Sequence, residues 1–415
     1  MPKRLLFVES NTTGTGMLAL AKARELGYEP VFLTGAPERY PRLGESGAVV
    51  LECDTDSPSR LREAVARFPR RTIMGATTTS EFYVPAAGAL AASLGLPGND
   101  PEVLGRCRNK AAVRRLLTAA GVPQPRYEII TSAADTAKAL ASVGLPCVVK
   151  PVDESGSSRV QVCDSVEHAT AQATAILGVR RNTRGQPAAG QVLVEEYVVG
   201  DEFSVEMFGE PQGPRCVGII RKTLTRPPYC VETGHRYPAG LGATASRALV
   251  EVSTALLDAV DLRFGPSHIE LRIGPRGPVV IELNCRLAGG MIPELIRLAS
   301  GVDLLEQQLR GAVGEVPRLS ADRTGCSGIR FLTSPRHGVL RGLAGLDELR
   351  RVPGIVRAEV TAAVGDRVRP PRCAYDRLGF VIASGETPEA VATALNAVSA
   401  LRPVWQDQEA EPLTR

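Results

Sequence analysis

The chain has 415 residues, of which 44% are apolar and 23% charged, and its formal net charge is only +4. This length allows two or three domains with a sizeable core. The small, dispersed charge argues against a nucleic-acid or membrane partner, and no apolar run reaches the length of a membrane span. Nine cysteines without CxxC pairs indicate reduced thiols, and the first ten residues lack the apolar region of a signal peptide. We therefore expect a cytoplasmic protein.

Strand and helix patterns alternate through the first hundred residues, as in a Rossmann-like parallel sheet with helices on its faces. The predicted elements are strands at 5–8, 30–33, 49–53 and 71–74 and helices at 17–26 and 81–94. The Gly14-Thr15-Gly16 loop after the first strand does not complete the GxGxxG spacing. A tight strand-to-helix turn explains it at least as well as an anion site, and a Rossmann dehydrogenase is not supported.

The rest of the chain predicts a boundary at the Gly- and Pro-rich stretch from Gly95, then a longer mixed region. The predicted elements there are a helix closed by Gly121, strands at 127–130 and 147–149, a helix at 133–142, two strands around Gly200-Asp201, a helix at 245–260 and a closing helix at 388–400. The polar segment 178–190 is predicted to be a mobile loop. The last dozen residues are predicted to be a tail.

One predicted hairpin carries the most informative residues. Two alternating runs, His268 to Ile273 and Val279 to Arg286, flank a Gly-Pro-Arg-Gly-Pro turn. If the turn is centred on Arg276, Glu270 faces Glu282 across the strands. Alternation then places Glu270, Glu282, Asn284 and Arg286 on one face. The other face is the apolar set Ile269, Leu271, Ile273, Val279, Ile281 and Leu283.

Two facing carboxylates repel each other unless something positive lies between them. Carboxylate and amide oxygens suit Mg²⁺ or Mn²⁺, and Mg²⁺ held this way completes its shell with phosphate oxygens and water. Arg286, on the same face, is placed for a bidentate contact with a phosphoryl group. The alternative is an ordinary charged hairpin, but surface hairpins tend to place opposite charges across from each other.

Three other stretches carry chemistry. Lys150, in a chain with only six lysines, ends an apolar strand and precedes a Gly- and Ser-rich turn, a pattern that favours phosphate binding over a flexible hairpin loop. The stretch from Glu195 to Glu202 is an acidic hairpin whose backbone could face a flat heterocycle. His235 is predicted to lie in a loop flanked by glycine and proline, three residues after Glu232. There a histidine with a backbone partner is the simpler explanation.

Taken in order, these residues resemble the ATP-grasp superfamily. The matching features are Lys110, Lys150 with its following loop, "VEEYVVGDEFSVE", Glu270 and "ELNCRLAGG". Within the superfamily, "ETGHRYPAG" and "NCRLAGGMIPEL" most resemble the L-amino acid ligase branch. The implied fold is α/β, with an N-terminal Rossmann-like parallel domain (1–104), a central ATP-grasp domain of α+β type (105–318) and a small C-terminal α+β lobe (319–415). A lid subdomain is expected at about 120–195.

The resemblance also implies a role for each matching residue. The ATP phosphates would contact Lys110, Lys150, Ser155, Gly156, Ser157 and Ser158. Adenine would lie against Glu195, Glu196, Tyr197 and Val198, and Glu202 would bind the ribose. Mg²⁺, or Mn²⁺, would be held by Glu270, Glu282 and Asn284. Lys150 and Arg286 would be catalytic, Arg286 by steadying an acyl phosphate. The substrates would contact Glu232, His235, Arg286, Gly289, Gly290 and Arg330.

The reaction that the resemblance implies joins a small-molecule carboxylate to an amine, such as two amino acids. ATP would drive it through an acyl phosphate, with release of ADP and phosphate. A homodimer is compatible with this resemblance. Two alternatives stay open: another ATP-grasp reaction, either a carboxylation or a nucleotide-biosynthesis ligation, and a non-catalytic module that binds ATP. The complete set of two glutamates, asparagine, arginine and both lysines argues against the second.

Overall fold

The computed structural model describes residues 1–12, 16–40 and 43–405. Its first part is a parallel sheet in the order β3-β2-β1-β4, which confirms the predicted alternation. The elements are β1 (Arg4–Val8), α1 (Leu18–Glu25), β2 (Glu29–Thr34), β3 (Val49–Glu52), α2 (Pro58–Val65), β4 (Ile73–Thr77) and α3 (Val84–Ser93). Most of the predicted Gly14-Thr15-Gly16 loop and of the predicted C-terminal tail lies outside the described residues.

A second, antiparallel sheet follows in the order β5-β8-β6-β7. The elements are α4 (Pro101–Arg108), α5 (Lys110–Ala120), β5 (Tyr127–Ile130), α6 (Thr136–Val143), β6 (Cys147–Pro151), β7 (Gln161–Cys163), α7 (Val166–Leu177) and β8 (Val192–Glu196). Asn109 caps α5 by accepting a hydrogen bond from the Ala112 amide, and the helix ends at Gly121 with a φ of 69°. Lys110 is thereby fixed at the first turn of α5.

The next part of the chain contains the predicted hairpin. Its elements are β9 (Asp201–Glu210), β10 (Gly213–Leu224), β11 (Glu232–Tyr237), α8 (Ala243–Val260), β12 (Gly265–Gly274), β13 (Gly277–Asn284), α9 (Ile292–Ser300), α10 (Leu304–Ala312) and β14 (Cys326–Thr333). Leu249 and Leu256 of α8 pack with Leu271 of β12 and Val280 of β13 in one buried cluster. This core covers one face of the hairpin and leaves the other face for polar side chains.

The C-terminal part completes the largest sheet. Its elements are β15 (Gly338–Ala344), α11 (Leu346–Arg350), β16 (Ile355–Val360), β17 (Arg367–Val368), β18 (Arg377–Gly385), α12 (Pro388–Asn396) and β19 (Arg402–Trp405). The antiparallel sheet has the order β13-β12-β9-β10-β11-β14-β18-β16, and β17-β15-β19 form a small separate sheet. The large sheet contains strands from both sides of the boundary predicted near residue 318, since β14, β16 and β18 follow that residue and its other strands precede it. The domain limits stay a prediction. No helix in the described ranges is both long and apolar enough to cross a membrane.

Candidate active site

β12 and β13 form the predicted hairpin, and Glu270 is paired with Glu282 as expected. The hairpin differs from the prediction in its turn. The last strand pair before the turn is Gly274 with Gly277, so the turn is centred half a residue before Arg276. A β-bulge at Ile281 then shifts the strand register by one residue and restores the predicted pairing. Without this bulge the two carboxylates would not lie opposite each other.

Because of the bulge, the side chains that lie on each face of the hairpin differ from the prediction. Ile281, expected in the core, lines a cavity instead, while Val280 is fully buried. Arg286 lies beyond the end of β13 at Asn284, so strand alternation does not set its direction. The pairing prediction is therefore confirmed, and the assignment of Ile281 to the core is wrong because an extra residue inverts the alternation.

A cavity lies between the hairpin and the β5–β8 sheet. The residues predicted to bind the nucleotide or metal that line it are Lys110, Lys150, Ser155, Ser157, Ser158, Glu195, Glu196, Tyr197, Val198, Glu202, Glu270 and Glu282. Gly156 and the predicted metal ligand Asn284 are not among them. The Gly156 carbonyl accepts a hydrogen bond from the Ala374 amide at 3.1 Å. The fold thus brings together residues from five separate stretches of sequence around one cavity.

Lys150 lies one residue before the end of β6 and is almost fully buried beside Glu195. Its Nζ lies 2.6 Å from Glu195 Oε2, and Arg114 Nε lies 2.5 Å from Glu195 Oε1. Burial lowers the pKa of Lys150, and Glu195 offsets this only in part. Burial raises the pKa of Glu195, but Arg114 and Lys150 outweigh it and hold that pKa below its usual value. Glu195 therefore acts as a counterion for the lysine, and its carboxylate is not free to contact adenine.

The remaining acidic residues of the predicted nucleotide site are also paired. Glu196 contacts Arg276 at 2.8 Å and Arg126 at 3.3 Å. Glu202 accepts a hydrogen bond from Arg272 Nε at 2.9 Å, and the Arg272 guanidinium lies 5.1 Å from the centre of the Tyr197 ring. Burial keeps the pKa of Glu202 above its usual value despite the cation Lys222 nearby. These arginines, which we did not predict to lie in the site, fix its acidic side chains.

Lys222 of β10 is the main residue that the sequence reasoning missed. Its side chain is completely buried, and Nζ lies 2.5 Å from Glu270, 2.7 Å from Glu232 and 3.7 Å from Glu202. Although burial lowers the pKa of Lys222, these three carboxylates raise it well above its usual value. One ammonium group therefore joins the predicted ribose, metal and substrate residues. The scarcity of lysine in the chain was the only available signal.

His268 lies behind Glu270 on the same face of β12. Its Nδ1 is 2.8 Å from Glu206 Oε1 and its Nε2 is 3.1 Å from Glu270 Oε1. Burial lowers the pKa of His268, but the hydrogen bonds and charges of Glu206 and Glu270 outweigh it and raise the pKa to about 9. The positive charge expected between the facing carboxylates is thus supplied in part by His268 and by Lys222, so repulsion alone does not require a metal.

The donor set still fits Mg²⁺. Glu270, Glu282 and Asn284 present hard oxygen atoms from one hairpin, and Glu282 is held only loosely, 3.4 Å from Lys110 Nζ. Asn284 is buried, with its Oδ1 in one long contact of 3.5 Å with Arg286 Nη2. Among the described residues, no three His, Cys, Asp or Glu side chains form a metal cluster of their own. Two carboxylates and an amide suit an ion that takes its other ligands from phosphate and water.

Arg286 points from the hairpin toward the N-terminal sheet. Its Nε lies 3.0 Å from Glu81 Oε2, and Nη1 donates to the Leu287 carbonyl at 2.7 Å. Glu81 follows β4 in a buried polar run, Thr77 to Glu81, and is itself buried. The pair places an arginine and a carboxylate where the N-terminal and central parts meet. Glu81 was not predicted as a site residue, because its partner lies far away in sequence.

Glu232 and His235 lie on β11, a central strand, and the prediction of a loop for His235 is wrong. The stretch from Glu232 to Tyr237 is too polar to show strand alternation, and its partners β10 and β14 impose the strand. His235 is buried, its Nε2 lies 3.3 Å from Glu232 Oε2, and burial lowers its pKa. Its ring meets Phe331 edge to face at 5.3 Å.

Arg330 is not brought to the site. The neighbouring residues of β14, Ile329 and Phe331, face the buried cluster that contains Met291 and Leu295, whereas Arg330 is exposed. Successive side chains of a strand point to opposite faces, so Arg330 points away from His235. The expectation that it contacts a substrate is wrong.

Gly290 is fitted against His235 and admits no side chain. A Cβ there would lie 2.6 Å from His235 Cε1, and the φ of Gly290 is +58°. Gly289, by contrast, faces open space, since a Cβ there would meet no atom within 4 Å. The loop after Arg286 thus supports the histidine ring at one glycine and leaves room beside it at the other.

Replacing Gly290 by alanine should displace His235 and lower the rate of product formation by about 100-fold, the usual effect of a shift near 1 Å in a reacting group. The matched control is Gly265→Ala, because Gly265 also has a positive φ (+75°) but open space around it. Both variants carry backbone strain of the same kind, and Gly290→Ala adds the clash with His235, so thermal stability should fall in both variants and further in Gly290→Ala. An equal loss of activity in the control would contradict the role given to the His235 contact.

The fold and the site together define an ATP-grasp protein: two antiparallel sheets enclose a cavity lined by lysines and by a carboxylate hairpin. Residues 143–294 match the ATP-grasp domain family, and residues 330–406 match the L-amino acid ligase C-terminal domain 2. The chain belongs to the ATP-grasp superfamily, and within it to the ATP-dependent carboxylate–amine ligases, which form C–N bonds. The resemblance seen in the sequence is thereby confirmed.

Similar proteins agree with this assignment. The chain is 33% identical to the uncharacterized protein y4rH of Sinorhizobium fredii over 384 residues, 92% of this chain and 79% of the relative. It is 29% identical to carnosine synthase 1 of Gallus gallus, over 53% of this chain but only 24% of that protein. Among solved structures, the L-amino acid ligase from Bacillus licheniformis has the same fold, with a TM-score of 0.81 and 22% identity over 98% of this chain and 100% of that one.

Proposed function

We propose that the protein joins the carboxylate of one amino acid or small acid to the amino group of an amino acid, with ATP as the driving substrate. The observation that carries this proposal is the position of Arg286. It follows the hairpin of Glu270, Glu282 and Asn284 and contacts Glu81 of the N-terminal part, so a buried cation lies where the predicted metal residues meet the N-terminal part.

The first step is transfer of the γ-phosphoryl group. A carboxylate oxygen of the first substrate attacks the γ-phosphorus, and the bond from that phosphorus to the bridging oxygen of ADP breaks. Lys110, Lys150 and the amides and hydroxyls of Ser155 to Ser158 would hold the phosphates. Mg²⁺ bound by Glu270, Glu282 and Asn284 would add positive charge against the same phosphates. Arg286 would bind the acyl phosphate as it forms.

In the second step, the ammonium group of the second substrate loses a proton to solvent and the free amine nitrogen attacks the carbonyl carbon of the acyl phosphate. The bond from that carbon to the phosphate oxygen breaks, and inorganic phosphate leaves with the proton that the nitrogen releases. His235 lies against Gly290 in the loop that follows Arg286, and Glu232 contacts His235 at 3.3 Å. These two residues would hold the amine substrate. Glu232 is suited to an ammonium group, because Lys222 and His235 outweigh the effect of burial and hold its pKa far below the usual value. It therefore stays ionised at neutral pH.

The proposal is tested by a screen of amino-acid pairs, in which ADP release and product mass are both measured. Release of ADP with an amide product of the expected mass supports it. Release only with bicarbonate would indicate a carboxylase instead, and binding of ATP without any release would indicate a non-catalytic module.

Replacing Glu282 by alanine should lower carboxylate-dependent ADP release by about 100-fold or more. The Mg²⁺ that neutralises the transferred phosphoryl group would lose one of its protein ligands. The matched control is Glu359→Ala on β16, whose carboxylate pairs with Arg357 away from the cavity. Unchanged ADP release in the Glu282 variant would refute the metal assignment while leaving the ligase assignment intact.

A further inference from the structure

A short segment of the C-terminal part, Cys373 to Arg377, lies against two functional regions at once. It contains a single 3-10 turn, Ala374–Asp376, directly before β18. The Asp376 carboxylate accepts hydrogen bonds from the Arg372 amide at 2.8 Å, the Cys373 amide at 3.1 Å and Arg369 Nε at 2.8 Å. The segment is therefore held in one shape by its own hydrogen bonds.

At one end of the segment, Arg377 is hydrogen-bonded to Glu232. Its Nη2 donates to both the backbone carbonyl and the carboxylate of Glu232, each at 3.0 Å. The guanidinium also stacks over the Phe331 ring at 3.7 Å, and Phe331 in turn contacts His235 edge to face. Arg377 thus touches one predicted amine-site residue directly and the other through a single aromatic ring.

The two oxygens of Glu232 are divided between different cations. Oε1 lies 2.7 Å from Lys222, whereas Oε2 lies 3.0 Å from Arg377 and 3.3 Å from His235. A fully buried lysine on one side alone would pull the carboxylate toward the metal residue Glu270, which the same lysine contacts. Arg377 opposes this pull. It also fixes the strand itself through the Glu232 carbonyl, which a carboxylate contact alone would not do.

At the other end of the segment, Ala374 and Tyr375 meet the loop predicted to cover the phosphates. The Ala374 amide donates to the Gly156 carbonyl at 3.1 Å. The Tyr375 ring lies 3.3 Å from the position that a Cβ on Gly156 would take, and Gly156 has a φ of +68°. The loop from Ser155 to Ser158 is thus in contact with the C-terminal part by both a backbone hydrogen bond and a ring.

We propose that Arg377 is a positioning residue for the amine-binding site, and that the Cys373–Arg377 segment couples this site to closure of the phosphate loop. The inference rests on the proposed function, since it gives Glu232 and His235 a substrate to hold. When Glu232 is correctly placed, the segment lies against Gly156 and keeps the loop over the acyl phosphate. When the segment moves, both sites loosen together.

Loosening has a defined chemical consequence. Water in place of the amine attacks the carbonyl carbon of the acyl phosphate, the bond to the phosphate oxygen breaks, and the first substrate is regenerated. The net reaction is then hydrolysis of ATP to ADP and phosphate without amide formation. The ratio of ADP to amide therefore reports how well the segment keeps the two sites together.

The kinetic test uses Arg377→Met, Arg377→Lys and the control Arg357→Met. Arg357 lies on β16, pairs with Glu359 and lies over the neighbouring Phe380 ring at 5.4 Å, so it matches Arg377 in kind without contacting the site. In Arg377→Met we expect the KM for the amine to rise about tenfold or more, as for a lost hydrogen bond to a charged group. The KM for ATP should rise by a smaller factor, because the phosphate loop loosens while Lys110 and Lys150 stay in place. The ADP-to-amide ratio should rise, and lysine should restore part of both.

A second readout does not depend on the reaction. Amide hydrogen exchange of free wild-type protein and of the variants should be faster in Arg377→Met at both 155–160 and 230–237, and unchanged in Arg357→Met. Equal kinetics and exchange in the two methionine variants would overturn the inference, as would faster exchange spread evenly over the chain, which indicates a structural role only. Absence of any amide product from the wild type would refute the proposed function, and the exchange data would still decide whether the segment couples the two regions.

Discussion

Replacing Arg286 by alanine should lower amide formation by about 1000-fold, the largest effect expected of any single change in the site. Removal of one hydrogen-bond donor from a preorganised oxyanion site lowers the rate by about two to three orders of magnitude. The Arg286 guanidinium carries several N–H donors beside the hairpin. It is almost fully buried, so water cannot replace it. ADP release and product mass, measured with a productive substrate pair, give the loss directly.

The same substitution also leaves Glu81 without its cation, so stability has to be separated from catalysis. Breaking a buried ion pair costs about 3–5 kcal/mol. The double variant Arg286→Ala with Glu81→Gln should regain part of that stability without regaining activity. Arg297→Ala is the control, because Arg297 is partly exposed and pairs with Glu294 in its own helix. Activity within tenfold of wild type in Arg286→Ala would remove Arg286 from the mechanism.

The local features of the site were predictable from sequence because they depend on residues close together in the chain. Gly274 and Gly277 mark the hairpin turn, and the alternating apolar residues of β12 identify its core face. The two glutamates were predicted to face each other from a turn centred on Arg276, and this pairing holds because the bulge offsets the half-residue error in the turn. The bulge at Ile281 was not predictable, since nothing in an alternating run such as Val279 to Leu283 marks an extra residue.

The ion pairs that organise the site could not be predicted from the sequence, because they join residues on distant strands. Lys222 on β10 meets Glu270 across β9, which lies between their strands in the sheet. The pairing of Arg286 with Glu81 joins different sheets altogether. Periodicity assigns a residue to a strand face but not to a neighbour in another strand. The predicted residues were thus mostly brought together, while the cations that hold them were missed.

β11 was missed for a different reason. Its sequence, Glu-Thr-Gly-His-Arg-Tyr, has one aromatic residue and no aliphatic one. Apolar and polar residues therefore do not alternate, and the sequence does not predict a strand. The strand exists because β10 and β14 pair with it on both sides. Tertiary pairing overrides weak local preference in such central strands, and here it places Glu232 and His235 on a rigid element instead of a loop.

Replacing Lys222 by methionine should lower the free energy of unfolding by about 3–5 kcal/mol, because a completely buried cation is removed from among three carboxylates. Denaturant unfolding at pH 8 measures the loss. The control is Lys22→Met, whose partly exposed ammonium pairs with Glu25 and Asp303 and should contribute about 0–1 kcal/mol.

The pH dependence of this loss identifies its cause. Without Lys222, burial and mutual repulsion would raise the pKa of Glu202, Glu232 and Glu270 above their unfolded values. A group with a raised folded pKa loses stability as pH rises through that value, so the deficit of the methionine variant should shrink from pH 8 to pH 5, as the carboxylates become protonated. Lys222→Arg keeps the charge and should keep most of the stability. A deficit that is equal at both pH values would mean that lost packing, and not the uncompensated carboxylates, destabilises the variant.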